Sequence, residues 1–277
     1  MRVQEVKTIL ESMGKRPSKR LGQHFLIDES VIERQVARAD LQSGETVLEI
    51  GSGIGNLTEA ILSTGAKVVA VEADAAFCRF LERRFGQKIT LVNADAVNAF
   101  LPEFDKVVAN LPYQISSPVT FKLLDEGFNS AVLMVQREFA ERMVAGPGTK
   151  DYGRLSVAVV YRARCEIAFD VPRTAFWPQP KVDSSVVIVT PRSPPFTVLD
   201  ERVFNDVTKS IFSHRRKKIY NALADDPASR SYLTDGAASD LKNLPHASLR
   251  AEQLSPEEIG ELSNAFLDMV TSSKRIA

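Results

Sequence analysis

The feature that constrains this chain most is the join at residues 46–55. Thr46-Val47-Leu48-Glu49-Ile50 reads as a buried strand and runs directly into Gly51-Ser52-Gly53-Ile54-Gly55. Leu57, Ala60, Ile61 and Leu62 then recur at helical spacing. Glycines at a strand-to-helix turn let the backbone approach a ligand closely. The same alternation continues downstream. Val68 to Val71, Ile89 to Val92, Lys106 to Ala109 and Ala131 to Val135 each read as a further strand. Strands alternating with helical segments predict an open α/β sheet.

In such sheets ligands bind beyond the carboxyl ends of the strands. Those ends here carry Gly51, Glu72, Asp95 and Asn110 in succession. The glycine spacing is G-x-G-x-G, with Asn56 next, rather than the G-x-G-x-x-G of dinucleotide sites. Glu72 follows the loop by about 20 residues, where an acid accepts the ribose hydroxyls of an adenosine. Asp95 is placed to accept a hydrogen bond from an adenine amino group. There is no Gly-Lys-Ser or Gly-Lys-Thr for a phosphate chain and no acid/base pair suited to a nicotinamide. The implied ligand is an adenosine without a pyrophosphate, and S-adenosylmethionine fits.

The corner Asn110-Leu111-Pro112-Tyr113 suits a second flat ring. An Asn side chain and a backbone carbonyl accept hydrogen bonds from an exocyclic amine, and Tyr113 stacks on the ring. Ser116-Ser117-Pro118 reads as a helix cap with Pro at the first helical position. Upstream, Leu21 to Asp28 forms a turn that can lie across a cofactor, with His24 and the Leu26 backbone as polar contacts. Asp28 caps the helix that follows. The proline-stiffened loop Pro172 to Val182 holds Phe176, a candidate for the other face of a base sandwich with Tyr113.

Net charge is silent about a nucleic-acid partner, because Lys plus Arg and Asp plus Glu are both 35 in the 277 residues. Two local clusters carry that inference instead. Met1 to Met13 has helical spacing, and Lys15, Arg16, Lys19 and Arg20 follow in a flexible basic arm. Arg215, Arg216, Lys217 and Lys218 interrupt a helical stripe, and four adjacent cations ask for an anion. Cys78 and Cys165 read as buried free thiols of a reducing compartment, not a staple or metal site. With no signal segment and no membrane-length apolar run, a cytoplasmic protein is expected.

Gln136 to Met143 opens a helix, 146–153 reads as a loop on the rim or touching substrate, Leu155 to Tyr161 as a strand and Ser184 to Thr190 as the last strand. Pro191 to Pro195 marks a boundary. Ser255-Pro256-Glu257-Glu258 opens a capped helix. The expected organisation is a basic arm at 1–21, a catalytic domain at 22–192 and a helical, RNA-binding domain at 193–277.

Taken together, these segments resemble the ribosomal RNA adenine dimethyltransferase family in its archaeal and eukaryotic-like branch. The likeness runs from about Gly22 to Val187. It rests on Leu21-Gly22-Gln23-His24-Phe25-Leu26, Glu49-Ile50-Gly51-Ser52-Gly53-Ile54-Gly55, Asn110-Leu111-Pro112-Tyr113-Gln114-Ile115-Ser116-Ser117-Pro118, Asp151-Tyr152-Gly153-Arg154-Leu155-Ser156 and Phe176-x-Pro178-x-Pro180-Lys181-Val182-x-Ser184. One departure is His24, where bacterial members often carry Asn. The resemblance implies a Rossmann-like class I methyltransferase sheet with a small C-terminal helical domain. It implies cofactor contacts at His24, Leu26, Gly51, Gly53, Glu72, Asp95 and Asn110. Asn110, Leu111, Pro112, Tyr113 and Phe176 would form the target-adenine pocket. The implied reaction is S-adenosylmethionine-dependent dimethylation of two adjacent adenosines in a hairpin near the 3′ end of small-subunit rRNA, with no metal. The implied partner is the assembling small ribosomal subunit; nothing in the sequence suggests an obligate interface, so a monomer is expected. A pre-rRNA-binding assembly checkpoint factor, and an adenine methyltransferase of DNA or large-subunit rRNA, are the rival readings.

Overall fold

The computed structural model describes residues 1–18, 22–234 and 237–276. In chain order its elements are α1 (Val3–Ser12), β1 (Phe25–Leu26), α2 (Glu29–Ala39), β2 (Thr46–Ile50), α3 (Asn56–Leu62), β3 (Lys67–Glu72) and α4 (Ala75–Phe85). β4 (Ile89–Asn93), β5 (Lys106–Asn110), α5 (Ser116–Asp125), β6 (Ser130–Gln136), α6 (Arg137–Val144), α7 (Arg154–Arg162) and β7 (Ala163–Val171) follow. The chain closes with β8 (Phe176–Trp177), β9 (Ser184–Pro191), α8 (Glu201–Ser213), α9 (Ile219–Asp225), α10 (Pro227–Arg230) and α11 (Pro256–Ile276).

Seven strands form one sheet in the order β4-β3-β2-β5-β6-β9-β7. β4, β3, β2, β5 and β6 run parallel, and β9 pairs antiparallel to β6. The parallel strands are continuous apolar runs because both faces are covered; Val47, Leu48, Val107, Val108 and Ala109 are fully buried. Strand order reverses between β2 and β5, so the Gly51 turn and the Asn110 corner leave neighbouring strands at the point where α/β folds open a crevice. A second, two-stranded sheet pairs β1 with β8, matching Leu26 to Phe176 and Phe25 to Trp177.

The chain divides into two compact units, Met1–Glu141 with Arg164–Pro191, and Arg142–Ala163 with Arg192–Ala277. This differs from the sequence expectation at two places. Residues 142–163 group with the helical unit, because Tyr152, Val157 and Tyr161 share one core with Val203, Phe204, Ile259 and Phe266. The N-terminal segment belongs to the sheet unit, because Val6 and Leu10 of α1 pack with Phe25, Ile54 and Phe77.

Three local expectations also change. Leu155 to Tyr161 is helix, not strand: α7 buries Leu155, Ser156, Val157, Ala158, Val159 and Tyr161, so its apolar residues show no helical period. α5 begins at Ser116 with Ile115 as its cap residue, and Pro118 lies within the first turn, where its missing N–H is harmless. Ser116 Oγ donates instead to the Pro112 carbonyl at 3.2 Å. The cations at 215–218 are not on a helix. α8 ends at Ser213, Lys217 N donates to the His214 carbonyl, and Lys218 forms an isolated bridge with Arg250 before α9 starts. Asp28 and Ser255 cap α2 and α11 as expected. Cys78 and Cys165 are free, the first buried and the second half-buried.

Candidate active site

One crevice of about 440 Å³ opens at the carboxyl edge of the sheet, within the first unit. That is a volume typical of a small-molecule site. Its lining includes His24, Leu26, Gly51, Gly53, Glu72, Asp95, Asn110, Leu111, Pro112, Tyr113 and Phe176. Every cofactor and pocket residue expected from sequence therefore reaches one cavity.

The glycine turn works by absence of side chains. Gly51 has φ +78°, and a Cβ there would meet the Pro112 ring at 3.2 Å. The turn and the Asn110 corner thus touch through a glycine. Glu72 bridges the turn to its own strand end: Gly53 N donates to Oε2 at 2.9 Å and Asp74 N to Oε1 at 2.9 Å. Burial holds the Glu72 carboxyl above its usual range, against the pull of those backbone donors. Asp95 accepts from Val97 N and the Asn98 side chain, each at 3.0 Å, which fixes its carboxylate at the rim. The Leu26 carbonyl accepts from Asn56 Nδ2 at 3.0 Å.

Three of the described lining residues stand outside this satisfied network: Ser52, Asn56 and, at the corner, Asn110. Asn110 Oδ1 is buried and has no hydrogen-bond partner among the described residues. A buried acceptor without a donor costs stability, of order 1–3 kcal/mol. Beside Asn110, Tyr113 presents a ring whose hydroxyl lies 2.8 Å from Ser184 Oγ. Burial raises the phenol further above its ordinary value, so the hydroxyl stays protonated.

The ring that stacks on Tyr113 is His24, with centroids 5.9 Å apart and planes at 30°. His24 Nδ1 lies 2.6 Å from the Pro178 carbonyl, which only accepts, so Nδ1 carries the proton. His24 therefore forms the wall behind Tyr113 as well as lining the crevice. Phe176 is buried in the main core and lines the crevice from β8. No contact between the Phe176 and Tyr113 rings is observed among the described residues.

Sequence reasoning missed several lining residues. Glu49 is 2 % exposed, accepts from Thr58 Oγ1 at 2.5 Å and lies in the same crevice. Burial pushes its carboxyl up to about 7, partly offset by the Thr58 hydroxyl. Its signal was a single acid inside an apolar strand. Ile54 and Phe77 line the crevice while packing under α1. Gln114 closes on Gly22 (φ +58°), where a Cβ would run into the carboxamide.

The basic clusters divide differently. Lys15 engages the Asp74 carboxylate, and Asp74 also caps α4. Lys19 and Arg20 lie outside the described residues; Arg16 is described, and no ion pair of it is seen among the described residues. Arg215 binds Glu252 at 2.8 Å and the Lys150 and Thr149 carbonyls at 2.7 and 2.9 Å, tying down the 146–153 loop. Lys217 pairs with Asp225 at 2.6 Å. Arg216 and Lys218 are exposed.

Residues 14–248 match the family model described as ribosomal RNA adenine dimethylase. The chain belongs to that family. It is 44% identical over 253 residues to a probable ribosomal RNA small subunit methyltransferase A of Thermococcus gammatolerans, covering 91% of this chain and 90% of the relative. A protein of the same name from Methanosarcina mazei is 46% identical, covering 89% and 92%. Among solved structures, a dimethyladenosine transferase from Plasmodium falciparum superposes with a TM-score of 0.71 at 27% identity, covering 91% of this chain and 98% of that one. The 23S rRNA methyltransferase ErmE gives 0.62 at 26% identity, covering 87% and 99%.

The cofactor of this family of methyltransferases is S-adenosylmethionine, and the crevice fits it. The glycine turn leaves a cradle free of Cβ atoms at Gly51 and Gly53. Glu49, Glu72 and Asp95 supply acceptors for hydroxyls, an amine and cationic groups. No described group of His, Cys, Asp and Glu is arranged to hold a metal.

Proposed function

We propose that this protein dimethylates the exocyclic amines of two adjacent adenosines in the 3′-terminal hairpin of small-subunit rRNA, using S-adenosylmethionine. The observation that carries the reading is the buried, unpartnered Asn110 Oδ1 in the crevice that also holds the glycine turn and Glu72. In the proposed roles Glu72 holds the ribose hydroxyls, Asp95 the cofactor's adenine amine, and the Gly51–Gly53 turn and the Leu26 backbone the remainder of the cofactor. S-adenosylmethionine, when bound, supplies a methyl on a positively charged sulfur.

The chain's own groups do the rest by placement. An adenine amine is a weak nucleophile because its lone pair is delocalised into the ring. Asn110 Oδ1 and the carbonyl of Leu111 or Pro112 accept hydrogen bonds from its two N–H groups and favour a pyramidal nitrogen, which localises the lone pair; one N–H proton leaves after the new N–C bond has formed. Tyr113 and Phe176 hold the base once it has left its stack. Catalysis is positioning and electrostatics, with no covalent intermediate. Arg216 and Lys218 are the proposed phosphate contacts of the helical unit, with Arg215 and Lys217 partly spent on Glu252 and Asp225. Arg16 adds a proposed contact in the first unit.

We read the chain as a monomer of the cytoplasm, where its rRNA substrate is assembled into subunits. No helix among the described residues is long and apolar enough to cross a membrane. The test is incubation with labelled S-adenosylmethionine and small subunits lacking the modification, with the label mapped by nuclease digestion and mass spectrometry. Dimethyladenosine at two adjacent positions near the rRNA 3′ end is expected. Binding without transfer would replace this reading by an assembly factor.

A further inference from the structure

Ser184 lines the crevice, yet none of the proposed roles uses it. Its side chain is fully buried, and its Oγ lies 2.8 Å from the Tyr113 hydroxyl. It opens β9 and pairs with Gln136, the last residue of β6, so it stands on the sheet itself. Tyr113 has no such support. It lies in the connection between β5 and α5, where a free ring would sample several rotamers. The adjacent hydroxyl shows what an ordinary buried serine does here: Ser185 Oγ donates to Asp170 Oδ1 at 2.7 Å. Ser184 makes no comparable bond to its own sheet among those observed. Its hydroxyl is directed at the crevice wall.

The other restraint on the ring comes from the same stretch of chain. His24 stacks on Tyr113 and is held by the carbonyl of Pro178. A ring fixed at its hydroxyl and along one face has little freedom to swing. We infer that Ser184 is a positioning residue for methyl transfer, acting through the Tyr113 hydroxyl to set the plane on which the target adenine lies relative to Asn110 Oδ1. This rests on the reading of the crevice as a target-adenine site. It adds that the sheet edge, through β9, determines the angle of the base.

The test compares Ser184→Ala, Tyr113→Phe and the double variant on small subunits lacking the modification, with Ser185→Ala as a control outside the crevice. Both single changes remove the same hydrogen bond. Each is expected to lower kcat roughly 3- to 10-fold, while KM for the subunit and the Kd for S-adenosylmethionine stay unchanged. The double variant should be no slower than either single one, because there is only one bond to lose. Ser184→Thr, which keeps the hydroxyl, should recover most of kcat. Additive losses, a loss confined to KM, or unchanged kcat in Tyr113→Phe would overturn the inference. If Ser184→Ala lowers the thermal midpoint, Tyr113→Phe decides, because it keeps the ring and removes only the oxygen. Failure of the wild type to methylate adenine would sink the reading of the site; active wild type with equally active variants would sink this inference alone.

Discussion

The sheet edge and the turn after α8 both gather polar residues, but they treat them in opposite ways. At the edge, the Glu72 carboxyl is buried and wired to backbone donors, and Asn110 Oδ1 is among the buried oxygens left open. At the turn, the cations are exposed or half-exposed, and two of the four are already paired within the unit. A buried site acts through geometry, since every atom in it carries a desolvation cost. An exposed cluster acts through charge that salt can screen. Changes at the edge should therefore move turnover or stability, and changes at the turn should move affinity and its salt dependence.

The sharpest way to break that contrast is Asn110→Ala. Turnover is expected to fall roughly 100-fold or more, the scale for loss of one preorganised polar contact, with RNA affinity within about twofold. Single-turnover kinetics and filter binding would measure the two; equal losses in both would mean that the edge also holds the RNA.

Next in size is the pH response of Glu49. Its folded carboxyl titrates at about 7 against an ordinary value of 4.5. Between those values the folded chain keeps a proton that the unfolded chain has released. Stability from this group is therefore full below about pH 4.5 and is lost as pH rises through about 7. Glu49→Gln should gain on the wild type between pH 5 and pH 8, by an amount on the order of 3 kcal/mol. Denaturant titrations at both values check this, and parallel curves for the two proteins would refute it.

At the turn, Arg216→Ala with Lys218→Ala should weaken RNA binding about tenfold at moderate salt and reduce the slope of log affinity against log salt by about 2. Turnover at saturating subunit should hold. Lys217→Ala, which also frees Asp225, should change the slope less. An equal effect from all three would show that pairing within the unit does not matter.

The smallest effect is expected at Lys15, which the sequence grouped with the basic arm. Because it engages Asp74, Lys15→Ala should leave the RNA salt slope unchanged and lower stability by about 1 kcal/mol or less, the ceiling for a partly exposed pair. A slope change of about 1 would restore it to the RNA contacts.

Much of the sheet edge was legible in the chain. Buried parallel strands are apolar throughout, so a lone Gly51, Glu72 or Asn110 at the end of such a run stands out. The same rule hid α7, since a helix buried on all sides has no period to read. It also obscured Glu49, whose position inside a strand looks like an interruption of the core.

By itself the sequence determined the alternation of strands and helices, the residues at the strand ends and the family. Those depend on local pattern and on which side chains the chain carries. Tertiary structure decided what each polar group is free to do. Only folding could show that Lys15, Arg215 and Lys217 spend charge on Asp74, Glu252 and Asp225, or that Asn110 Oδ1 remains open. It alone brought Ser184 to Tyr113 across 71 residues of chain. Hydrogen-bond partners are set by distances of about 3 Å between remote segments, and no spacing along a chain encodes them.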